Sequence, residues 1–106
     1  MRAAAGLTLL LAMFVAACSP QAMADKTARS MARDVVAPVI ASQVPAASQL
    51  QAADCVVNAA QMPEVRALAR DYGVTAGTLT RDNIRSLALR PAAQSCFAAN
   101  GIPPVR

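Results

Sequence analysis

The sequence predicts an all-α domain: a small bundle of four to five short helices with one disulfide. Three observations carry this expectation. Apolar residues recur at helical spacing after residue 26, and no stretch alternates with period two for long. Prolines and glycines fall between these stripes, where helices start and stop. Two cysteines, Cys55 and Cys96, stand in the chain once its leader is set aside.

The chain has 106 residues, enough for one small domain. Its first stretch reads as an address. Ala3 to Ala17 is apolar or small, broken only by Gly6 and Thr8, and it follows the charge of Arg2 and the free amine. Charged start, apolar middle and small residues at the end are the layout of an export signal. Its fifteen residues fall short of the roughly 20 that a membrane-spanning helix needs. Two cleavage sites follow. One ends the signal at residue 17 and leaves Cys18 first. The other uses Ala22-Met23-Ala24, with Pro20 ahead of it, ends the signal at residue 24 and leaves Asp25 first. Residues 18–25 are short, polar and proline-containing, and read as a tether.

Residues 26–44 hold the first, amphipathic helix, expected from about Lys26 to Ser42. Ala28, Met31, Ala32, Val35, Val36, Val39 and Ile40 make one stripe, with Arg29, Arg33 and Asp34 off it. Pro38 removes a backbone bond and is expected to kink or divide this helix. The disulfide-bonded domain then covers residues 46–101. Pro45 suits the first turn of a second helix reaching about Ala60. Leu50, Ala53, Val57 and Ala60 form one face; Ala52, Cys55, Val56 and Ala59 adjoin it. Residues 43–53, QVPAASQLQAA, also read as a linker, which would leave the first helix a mobile arm.

Met62-Pro63-Glu64 opens a third helix, with Val65, Leu68, Ala69 and Tyr72 inward and Gly73 as its stop. The fourth is expected from Thr75 as N-cap, with Val74 packing on Leu79. Leu79, Asn83, Ile84, Leu87 and Ala88 define its face, and Thr80 is an alternative cap. Pro91 starts the fifth, whose stripe is Ala92, Ala93, Cys96 and Phe97, and Asn100-Gly101 ends it. Residues 102–106, with two prolines, form an extended tail.

Alanine is abundant and bulky residues are few, so the core buries little area per residue and is marginal alone. Either cleavage leaves Cys55 and Cys96 to pair with each other, and in an exported chain a disulfide is their default. A redox role would need an exposed, electropositive setting, whereas both sit among alanine, valine and phenylalanine.

Chemistry is sparse. There is no histidine and no CxxC, so no metal site is expected. No cofactor motif occurs either. Asp54 and Asn58 flank Cys55 without a base or a paired acid, and the serines have no base in sight, so an enzyme is not expected. After Ala24 the chain carries nine cations and six acids, a mild excess, and its aromatics there are Tyr72 and Phe97. Neither the charge nor the aromatics suit nucleic acid. Arg66 with Arg70, and Arg81 with Arg85, are i,i+4 pairs on adjacent helices. A hairpin across Gly73 would let all four share an anion-binding surface for phosphate or carboxylate. The competing reading is a solvated face screened by Glu64, Asp71 and Asp82.

Val15-Ala16-Ala17-Cys18 resembles the lipobox of bacterial lipoproteins, with Val15 where leucine is usual. The resemblance implies a diacylglyceryl group on Cys18 and a membrane partner held through it. Ser19, being non-acidic, is compatible with passage to the outer membrane. The segments DCVVNAA, RPAAQSC and NGIPP resemble, over about the last half of the chain, small exported proteins of alphaproteobacteria. That resemblance implies paired cysteines and no activity. The expectation is an envelope lipoprotein, at the outer membrane or the periplasmic face of the inner membrane, with a structural or binding role toward another envelope protein. The alternative is a free periplasmic or secreted binding protein cut after Ala24; a thiol-active protein ranks below both.

Overall fold

The computed structural model describes residues 19–106. Cys18 and the leader lie outside the described residues. Among the described residues there are five α-helices and no strand: α1 Pro20–Ile40, α2 Gln49–Asn58, α3 Met62–Ala69, α4 Thr78–Ala88 and α5 Pro91–Ala99, with a short 3₁₀ turn at Ala46–Ser48 before α2. The helical bundle and its single Cys55–Cys96 bridge are as the sequence predicts.

The first helix starts earlier than expected. It begins at Pro20, not Lys26, so residues 20–25 are helix and not tether. Proline is pre-set for the first helical turn, and Gln21, Ala22, Met23 and Ala24 are all good helix formers. Pro38 does not divide it; α1 runs through that residue and stops two residues later, at Ile40 instead of Ser42. Nor is α1 a mobile arm. Ala32, Val35, Val36, Ala37 and Ile40 enter the same core as the other helices, and α1 packs along both α2 and α3.

The core gathers around α2, which also meets α4 and α5. Ala52, Ala53, Val56 and Val57 are buried from α2, Val65 and Leu68 from α3, Ile84, Leu87 and Ala88 from α4, and Ala93 and Phe97 from α5. Phe97, 1% exposed, is the largest fully buried side chain. Alanines at the contacts let the backbones approach closely, so one phenylalanine and a few branched residues fill the space between them.

Several residues expected inside lie outside. Leu50 is exposed on the first turn of α2. Tyr72 is 52% exposed because α3 ends at Ala69. Past that point the chain turns through Asp71 and Tyr72, whose N–H groups donate to Leu68 and Ala69, and the helical register no longer applies. Gly73 closes the turn at φ +83°, a left-handed conformation open to glycine. The fourth helix starts at Thr78 with Gly77 as N-cap, two residues after the expected cap Thr75. Val74 and Leu79 are both exposed, Leu79 by 75%, so they form no staple. Asn83 and Ala92 also face outward. Thr80 caps nothing; its hydroxyl donates to Asp71 and pins the turn to α4.

The tail holds the largest surprise. Residues 102–106 are extended, as the prolines require, but they are not loose. Ile102 and Val105 are buried in the core at 4% and 1% exposure. Gly101, at φ +65°, reverses the chain. Ile102 N–H then donates to Phe97 at 2.9 Å and Gly101 N–H to Ala98 at 3.3 Å, the double bond of a Schellman ending. Gln94 Nε2 donates to the carbonyls of Ala88 at 2.7 Å and Val105 at 3.2 Å. Gln43 closes the end: its Nε2 donates to Arg106 O at 3.0 Å, and its Oε1 accepts from Arg106 N at 2.7 Å.

Candidate functional site

Cys55 lies on the buried face of α2 and Cys96 on α5, their Cα atoms 5.5 Å apart. Asn100 covers the bridge. Its Nδ2 donates to Cys96 O at 2.8 Å and lies 3.7 Å from Cys96 Sγ and 3.9 Å from Cys55 Sγ. Gln51 Nε2 holds Asn100 Oδ1 at 2.7 Å. Cys55 is 1% exposed. Thiol exchange needs an attacking thiolate to reach a sulfur; apolar packing closes Cys55 to it, while Cys96 is partly buried with the Asn100 amide beside its sulfur.

The four candidate arginines do not share one surface. α3 and α4 flank a cleft of about 360 Å³, lined by Glu64, Leu68, Thr80, Asn83, Ser86 and Arg90, and none of the four arginines lines it. Arg66 and Arg70 instead line a shallow groove between α1 and α3. Arg66 Nη2 pairs with Asp25 at 3.0 Å. Arg81 sits on another cleft, about 530 Å³, with Asp34, Asp71 and Tyr72, and its Nε donates to Ala76 O at 3.3 Å. Arg85 is exposed on α4. Asp54 and Asn58 are exposed too; Asp54 has Arg33 Nη1 at 3.9 Å.

Arg90 is the polar residue that sequence reading missed. It binds Glu64 with both arms, Nη1 to Oε1 at 2.8 Å and Nη2 to Oε2 at 2.7 Å, and Nη1 also donates to Ala59 O at 3.1 Å. Glu64 Oε1 accepts from Gln61 N–H at 3.0 Å, which caps α3. The Arg90 hydrogen bonds, followed by that backbone N–H, hold the Glu64 carboxyl below its usual range. Glu64 in turn holds the Arg90 guanidinium above its own. Three chain segments meet at this pair: the end of α2, the start of α3 and the link between α4 and α5. The capping box at Gln61 and Glu64 was a readable signal; the distant partner was not.

Among the described residues no helix is long and apolar enough to cross a membrane, and no three His, Cys, Asp or Glu side chains group as metal ligands. Comparison with family models, with curated proteins and with solved structures finds no match to the chain.

Proposed function

We propose that the chain is a small exported envelope lipoprotein, held at the membrane by a diacylglyceryl group on Cys18, whose disulfide-locked helical domain has a structural or binding role toward another envelope component. The observation that carries the reading is the Cys55–Cys96 bridge set into the core. Such bridges persist in oxidising compartments and are rare in the cytosol. It agrees with the export layout of residues 1–17. The lipobox resemblance of Val15-Ala16-Ala17-Cys18 supports cleavage before Cys18 over cleavage after Ala24. The later cut would also remove Pro20 to Ala24, the exposed first turn of α1.

Mass spectrometry of the mature N-terminus tests this. The expected product begins with diacylated Cys18, and Cys18→Ala abolishes its processing at that site. A product starting at unmodified Asp25 would establish the free periplasmic or secreted protein instead.

A further inference from the structure

The groove between the first turns of α1 and the end of α3 is shallow, about 500 Å³, and lined by Met23, Thr27, Met31, Ala69, Arg66 and Arg70 among others. Three observations bear on what covers it. The chain enters the described region at Ser19, four residues before Met23 and about 6 Å from it along the helix axis. Met23 is 67% exposed, an unbranched and adaptable apolar side chain. The charge is also one-sided. Residues 19–106 carry nine cations and six acids, a net +3. Both charged side chains that line the groove, Arg66 and Arg70, are cations, and Asp25 pairs with Arg66 at its edge. Arg70 makes no side-chain hydrogen bond or ion pair among the described residues.

We propose that this groove rests on an anionic phospholipid bilayer, with Arg66 and Arg70 on the headgroup phosphates and Met23 and Met31 at the acyl boundary. The proposal deepens the lipid-anchor reading and rests on it for placing the bilayer beside residue 18. Basic residues are drawn to an anionic surface, and with the two acyl chains of a diacylglyceryl group already supplying the anchor their part is to orient the domain. Here they would hold α1 and α3 against the membrane and the tail side away from it.

The chain has no tryptophan, so Met23→Trp supplies a single reporter. The mature protein carrying it is purified from the envelope and reconstituted in vesicles of phosphatidylcholine, with or without phosphatidylglycerol. With phosphatidylglycerol present, the indole emission is expected to move to the blue and to be quenched by brominated lipid. Arg66→Gln and Arg70→Gln are each expected to lower the ratio of docked to undocked molecules about fivefold. Arg66→Lys with Arg70→Lys should retain docking, and Arg81→Gln with Arg85→Gln should not change it. Equal quenching in both vesicle types, or no response to the glutamine pair, overturns the proposal. The N-terminal mass of the same sample separates the two readings. Diacylated Cys18 without anionic docking defeats the groove and leaves the anchor. Unmodified protein that still docks on phosphatidylglycerol defeats the anchor and leaves the groove.

Discussion

Reducing the Cys55–Cys96 bridge should come close to unfolding the domain. The two cysteines are 41 residues apart in sequence, and the closed loop contains all of α3 and α4. The chain-entropy relation for a loop of that length gives about 4 kcal/mol at 25 °C. A small domain has roughly 5–15 kcal/mol in all, and this one, with its alanine-rich contacts, belongs near the lower end. At roughly 4–8 °C per kcal/mol for a domain of this size, the melting midpoint should fall by about 15–30 °C. The clean comparison is one sequence, oxidised and reduced, followed by far-UV circular dichroism on heating. Cys55→Ala with Cys96→Ser provides a second route that needs no reductant. If the reduced and oxidised proteins melt within about 5 °C of each other, the reasoning fails. Residual packing of α2 on α5 would then be holding the unfolded chain as tightly as the bridge does.

Three further outcomes test other parts of the structure. Removing residues 102–106 strips Ile102 and Val105 from the core; at about 1.5–3 kcal/mol per buried branched side chain, urea unfolding should show a loss of about 3–6 kcal/mol. Gly101→Val places a β-branched residue at φ +65°, which should cost about 1–3 kcal/mol and is read in the same assay, whereas the exposed Ala98→Ser should change little. Glu64 has its folded carboxyl pKa depressed below the unfolded value, by Arg90 first and the Gln61 N–H second. Its contribution is therefore present above the unfolded pKa, near 4.5, and is lost as the pH falls through the folded one. Melting midpoints measured from pH 7 downward should decline less steeply in Glu64→Gln than in the parent.

Helix count, helix ends at proline and glycine, and the paired cysteines were legible because each rests on local rules. Gly73 and Gly101 stop helices through their own backbone freedom, and Pro91 opens one through its own ring. The inward face failed where an expected helix ran past its true end or past the core. Tyr72 was given α3's register although the chain had already turned, and Leu79 was given an interior place although the first turn of α4 stands clear of the core that takes Ile84, Leu87 and Ala88. Spacing says which residues share a face only while the helix lasts. The candidate arginine surface failed for a different reason. Its i,i+4 pairs exist, but where each pair stands is set by what its helix packs on: Arg66 and Arg70 stand beside α1, and Arg81 beside the turn that follows α3.

By itself the sequence determined the class of the fold, the bridge that closes it and the punctuation of its helices, since these follow from residues acting on their own neighbourhoods. Only the tertiary structure decided that α1 is part of the core, that an extended tail caps it through Ile102 and Val105, and that Arg90 reaches Glu64 across 26 residues. Those contacts join segments distant along the chain. They form where the summed burial of many small side chains leaves a place for them, and no local pattern records that place.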